Sequence, residues 1–328
     1  MIGDWGAAAA SGGGVLRPVR HRKPALRLLI GLCLAAVVAP AAMAAPAPAK
    51  PSAIVAERDR AADDRAVQIV LAQKWIETSV DVGRVASSAG GGGLIGAIII
   101  ESMDDKARRM RDAAAQKAEA TVAPLRQVLG DFDADALVLA TTRAALGQID
   151  WFRPRDIALS KDASPDGRRA FAASADAPQI AFVVYSYGLS PDFTQIRAVA
   201  EISLAHQATG KARGAAPAPY YRQTITSVVQ LDRRSYAPED NVAAWAADDG
   251  RRARAALDKA FGSLERTIPY ALNLTEAELQ RLTGKDREKA FGAGFYGPLI
   301  ARDPDGGMLL WSKSLVHVQT LPPANEEG

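Results

Sequence analysis

From Thr194 to His206 the side chains alternate with a period of two. Ile196, Ala198, Ala200, Ile202 and Leu204 take one side, and Gln195, Arg197, Glu201 and Ser203 take the other. That period belongs to a β-strand with one buried face, and a lone strand cannot bury anything, so the run requires neighbours. Its sequence neighbours qualify. In Gln179–Gly188, Ile180, Phe182 and Val184 face one way while Val183, Tyr185 and Tyr187 face the other, which suits a central strand covered on both sides. Ser190-Pro191-Asp192 supplies the turn between them. After a Gly/Ala/Pro loop at 209–219, Tyr220–Leu231 gives a third strand with Ile225, Val229 and Leu231 on one side. Residues 179–231 therefore predict a three-strand antiparallel meander.

The flanks read mostly as helix. Gly90–Gly93 launches a helical stripe through Leu94, Ile95, Ile98, Ile99, Met103 and Met110. Asp104 with Arg108, and Asp105 with Arg109, are acid-before-base pairs four apart, which support an exposed helical face. Pro124 is placed in the first turn of a second segment, because it lacks the N–H that interior positions donate. Further helices are expected over Ala134–Gly147, capped by Asp133, and around Pro165–Ala173. From Pro238 a stripe of Val242, Trp245, Leu257, Phe261, Leu264 and Ile268 predicts one long helix. Thr275 and Glu278 form a capping box for Glu276–Leu282. Ile76–Val82 alternates as a strand, with a helix through Val67, Val70, Leu71 and Trp75 as competitor, and Ile157–Ser160 is a short strand. A C-terminal hairpin joins Pro298–Arg302 to Met308–Thr320 through Asp303-Pro304-Asp305-Gly306-Gly307. The fold class expected is α+β, an antiparallel sheet (meander plus C-terminal hairpin) with helices packed on it.

The N-terminus has the layout of an export signal. Arg17, Arg20, Arg22, Lys23 and Arg27 precede the apolar run Leu28–Ala39, followed by Pro40 and by small residues Ala42 and Ala44 before a cleavage point at Ala45. The apolar run, about a dozen residues, is too short to span ~30 Å of hydrocarbon. The expected organisation is a signal peptide at 1–44, a flexible Pro/Ala-rich tether at 45–65, and a Gly-rich and helical segment at 66–150. The α+β domain at 151–322 and an acidic tail at 323–328 complete it. Cleavage removes five basic residues and one acidic residue, leaving 35 against 36, so the +3 of the full chain becomes −1. Near-neutral charge gives no argument for nucleic acid. Cys33, the only cysteine, leaves with the signal, which excludes a disulfide framework, a thiolate metal site and a cysteine nucleophile. The expected location is the bacterial periplasm, reached by a Sec-type signal.

Few constellations carry chemistry. Gly91-x-Gly93-x-x-Gly96 matches a dinucleotide fingerprint in form, but four consecutive glycines generate it cheaply, and the sequence shows neither a firm preceding strand followed by the rest of a parallel unit nor an acidic residue at the end of a second strand. Gly91, Gly93, Leu94, Ile95 and Gly96 combine small and apolar residues and read as a contact to the membrane surface or to a partner protein, with a Gly-rich loop feeding a buried helix as the competing reading. Asp131, Asp133 and Asp135 open like a calcium loop, yet Ala136 and Thr142 stand where Gly and Glu are required. A Ser-His-Asp enzyme would have to use His206, on the inward face past Leu204, or His317, pointing away from Val316 and Val318. No Gly-x-Ser-x-Gly elbow and no His-Glu-x-x-His sequence accompanies either. Tyr185, Tyr187 and Tyr221 are candidates to line a small-ligand pocket. The expectation is a non-catalytic interaction or scaffolding module of the envelope, with no cofactor and no metal. A periplasmic hydrolase using a carboxylate pair, and a small-ligand binder, are the alternatives.

Overall fold

The computed structural model describes residues 50–60, 64–79, 105–208 and 217–322. The segment read as an export signal, the tetraglycine segment with Gly91, Gly93, Leu94, Ile95 and Gly96, and the acidic tail lie outside them. In chain order the strands are β1 (Arg65–Val70), β2 (Glu77–Thr78), β3 (Pro154–Ser160), β4 (Gln179–Leu189), β5 (Gln195–His206), β6 (Pro219–Gln230), β7 (Lys289–Gly292), β8 (Phe295–Arg302), β9 (Met308–Trp311) and β10 (Leu315–Thr320). The helices are α1 (Glu57–Arg60), α2 (Asp105–Val128), α3 (Ala134–Gly147), α4 (Pro165–Ser174), α5 (Pro238–Asn273) and α6 (Glu276–Thr283).

The fold is α+β, with all ten strands in one sheet ordered β3-β1-β4-β5-β6-β10-β9-β8-β7 and β2 paired to β4. The meander is present, with Tyr185 opposite Ala200 and Ala200 opposite Ile225. The sheet is not purely antiparallel, however. β1 runs parallel to both β3 and β4, β2 parallel to β4, and β10 parallel to β6. Between β1 and β3 the chain crosses over through α2 and α3, and a helical crossover returns a strand in its original direction. Between two neighbours and under cover on both faces, β1 buries all six residues. That overturns the helix considered through Val67 and Val70, because a strand buried on both sides shows no alternation.

Three other expectations change. Pro124 lies inside α2, on its exposed side, where water can take the carbonyl that loses its intrahelical donor. The α5 stripe belongs to two helical segments, because Ala247–Gly250 leaves helical geometry with positive φ at Asp248, Asp249 and Gly250. Gly250 also abuts α2, and a Cβ there would come 2.8 Å from Val128 Cγ2. The run Met308–Thr320 is not one strand. It turns at Ser312–Ser314, where Lys313 adopts φ 61°, and folds back so that β9 pairs with both β8 and β10.

Helices α2, α3 and α5 cover one face of the sheet, over Val183, Tyr185, Ile202, Ile225 and Leu315. The other face is covered at two ends. Phe171 and Ala172 of α4 pack on Ile180 and Phe182. Ala293 and Leu299 of the β7–β8 hairpin join Val228, Val316 and Val318.

Residues 50–60, expected as tether, are docked. Ser52 N–H donates to Tyr220 O at 2.8 Å, and Arg222 N–H donates to Ser52 O at 2.9 Å. Arg60 donates to Leu274 O at 3.0 Å and closes the C-terminal end of α5. The described residues fall within one compact unit. Among the described residues, no helix is long and apolar enough to cross a membrane.

Candidate functional site

In the second segment of α5, Lys259, Ser263 and Arg266 recur at steps of four and three, so they share one helix face. β10 passes beneath that face. It turns Leu315, His317 and Gln319 toward the helices while Val316 and Val318 face the other way, as the alternation predicts. The tight turn after β8 brings in Asp303, fixed by its own N–H donating to Gly307 O at 2.8 Å. Ser263 Oγ lies 2.5 Å from His317 Nδ1, and His317 Nε2 lies 2.9 Å from Asp303 Oδ2. Ser263 and His317 are 1 % and 3 % exposed.

A carboxylate only accepts, so the ring proton sits on Nε2 and the Nδ1 lone pair faces the serine hydroxyl. Burial holds the His317 pKa below its ordinary value, opposed by the Asp303 carboxylate. The ring is thus neutral and basic at Nδ1, the state a proton acceptor needs. The three residues border a cavity of about 440 Å3 through Ser263 and Asp303, with Lys259, Arg266, Asp305 and Gln319 also on its walls. Lys259 Nζ donates to Asp305 at 2.8 Å and lowers that carboxyl's pKa, while Arg266 stands 3.9 Å from Asp303. Asp303 and Asp305 therefore share a cavity with each carboxylate beside a cation, an arrangement unlike two acids sharing one proton.

A second feature lies at the open edge of the sheet. β7 and β8 form a hairpin turned by Ala293 and Gly294, both with positive φ. Phe291 and Tyr296 sit directly opposite each other on it and are 68 % and 61 % exposed. Gly297 lets β8 approach β9, since a Cβ there would lie 2.1 Å from Trp311 O. Phe295 projects inward, with the Arg197 guanidinium 5.4 Å from its ring centre. Both border a hollow of about 220 Å3 on the less covered sheet face.

The three tyrosines are distributed differently from the pocket expected of them. Tyr185 and Tyr221 are wholly buried under the helices. The Tyr185 hydroxyl meets Thr142 Oγ1 at 2.8 Å, and the Tyr221 hydroxyl donates to Ala271 O at 3.3 Å. Burial raises the pKa of both phenols. Tyr187, pushed up to about 12 by burial, borders a small hollow beside Trp75 and Arg126. Tyr185 and Tyr187 each pack on Phe261, with ring centres 6.0 and 6.1 Å away. His206, expected on the inward face, ends β5 exposed, 3.4 Å from Asp59 and stacked on Tyr220 at 4.6 Å. Asp133 caps α3 by accepting from Ala136 N–H at 2.9 Å.

Ser263 escapes the sequence reading because it follows no motif. The one available signal is a hydroxyl lodged among Ala260, Phe261 and Leu264, in an otherwise apolar stripe. Among the described residues, no group of three or more His, Cys, Asp or Glu side chains is placed to hold a metal ion. Comparison of the chain with protein-family models finds no match, and comparison with curated proteins finds none.

Proposed function

We propose that this chain is an exported interaction module of the bacterial envelope and that it docks on a partner protein through the β7–β8 hairpin. The observation that carries the reading is the cross-strand pair Phe291–Tyr296, left in water at an edge of the sheet. Aromatic rings supply large contact area for little conformational entropy and are enriched in binding interfaces. Directly opposed rings form a single patch, and an edge strand leaves backbone groups open for a partner's strand. Lys289 and Arg302 lie on the same ribbon and give the patch a polar border. Export rests on the basic-apolar-small layout of residues 17–44, and the Leu94–Ile100 run offers a further contact to the membrane surface.

The test is cross-linking in intact cells, with a photoreactive residue placed near the pair. A discrete adduct to one protein is expected with the native hairpin and should vanish in the F291S/Y296S double variant at unchanged melting temperature. An adduct to lipid alone would make the patch a membrane contact instead. An identical monomeric species from both chains would end the docking reading. N-terminal sequencing of the periplasmic fraction should begin at Ala45, and a full-length cytosolic chain would end the export reading.

A further inference from the structure

We infer that Ser263, His317 and Asp303 form a hydrolytic site for small carboxylic esters, opening on the cavity under Lys259 and Arg266. A serine hydroxyl, an imidazole and a carboxylate stand in hydrogen-bonded sequence at 2.5 and 2.9 Å, the order that activates serine for acyl transfer. The two ring nitrogens exchange the roles they have in the best-known triad, but only a lone pair on one nitrogen and a proton held on the other are required.

The base is neutral, the carboxylate fixes the tautomer, and the serine borders a cavity of about 440 Å3, room for a small substrate. Gly262 keeps that wall low, because a Cβ there would meet nothing within 4 Å. Arg266, one helical turn beyond Ser263, is largely exposed and loosely held at 3.9 Å from Asp303, so its guanidinium can swing to the oxygen that becomes negative. A small ester is favoured because only the edge of Ser263 faces the cavity, Ser263 being 1 % exposed.

In the first step Ser263 Oγ bonds to the ester carbonyl carbon while its proton moves to His317 Nδ1. The carbon–oxygen bond to the alcohol then breaks, and the leaving oxygen takes that proton from Nδ1. Water repeats the sequence on the acyl-serine, with His317 accepting its proton, and releases the carboxylic acid and free Ser263. Asp303 touches no reacting atom. It is a positioning residue.

The test uses the full purified chain with a fluorophosphonate probe and p-nitrophenyl acetate. A covalent adduct on the peptide containing Ser263 is expected from the native chain, with ester turnover falling at least about 100-fold in S263A. D303N should move the acid limb of the pH–rate profile to lower pH, since Asp303 raises the His317 pKa. A clasp that only held α5 to β10 would leave no such limb to move. Absence of any adduct on Ser263 in the folded native chain overturns the site, and so does S263A hydrolysing at the native rate. Labelling is read on the unaltered chain, so it decides even where S263A misfolds. Hairpin docking is untouched by either result.

Discussion

His317 Nε2 lies 2.9 Å from Asp303 Oδ2, in a place where His317 is 3 % exposed. Desolvation outweighs the carboxylate there, and the ring's pKa falls below the 6.5 of a free histidine. The fold therefore favours the neutral ring, while the unfolded chain binds a proton near pH 6.5. Stability should be full above about pH 6.5 and decline as the pH falls below it, until the folded ring also protonates. Asp303 and Asp305 limit the decline and Arg266 adds to it, with Lys259 on the same wall. Urea midpoints between pH 8 and pH 5 should slope downward for the native chain and flatten in H317Q. A parallel slope in both would show that the titration lies elsewhere.

Arg65 is wholly buried, its guanidinium carbon 4.9 Å from the Trp151 ring centre and 5.1 Å from that of Phe152. It donates to Trp151 O at 3.0 Å and to Asp59 O at 2.6 Å, which ties residues 50–60 to the body of the fold. Arg65→Met should cost about 3 kcal/mol, because two buried carbonyls lose a charged donor and two rings lose a cation. Arg65→Lys should recover little of this, since a compact ammonium cannot span both acceptors while stacking on two rings. Chemical denaturation gives the cost. Limited proteolysis should cut first before Arg65 in both variants, and an uncut N-terminal segment in Arg65→Met would refute the tie.

The Gly297→Ala substitution tests the hairpin's seating. The added methyl would lie 2.1 Å from Trp311 O, a backbone atom that cannot step aside alone. β8 and β9 must separate, and the cost should be at least about 2 kcal/mol. Amide exchange should quicken along β8 and β9, which pair with each other there. Unchanged protection there would mean that the strands have slack that the contact distance denies.

Local pattern carried a good part of the fold into the sequence. The meander's three strands were legible because their buried face reads every second residue, and α6 because Thr275 and Glu278 cap each other reciprocally. Direction of pairing was not legible. β1 is buried on both faces but carries Arg65 on one and Gln68 on the other, so Arg65–Val70 does not read as the continuous apolar run of a parallel strand. The break at Ala247–Gly250 was hidden because the apolar stripe resumes beyond it. At the candidate site, His317's direction could be read from Val316 and Val318. Its partners could not: Ser263 and Asp303 come from a helix interior and a turn, and only tertiary packing joins them.

The contact between Tyr185 and Thr142 separates two kinds of loss within one hydrogen bond. Thr142 Oγ1 donates to Val138 O at 2.7 Å, and that spends the only proton of its hydroxyl. At 2.8 Å the Tyr185 hydroxyl must then be the donor and Thr142 Oγ1 the acceptor. Removing the donor in Tyr185→Phe leaves only a lone pair unused, at a cost of about 1 kcal/mol. Removing the acceptor in Thr142→Val strands a phenol O–H in a wholly buried site, at about 2–3 kcal/mol. With the phenol already gone, Thr142→Val has no donor left to strand, so the double variant should be no less stable than Thr142→Val alone. Denaturant midpoints of the four chains measure this directly. A double variant whose loss equals the sum of the singles would mean the hydroxyls do not share a proton as the geometry requires.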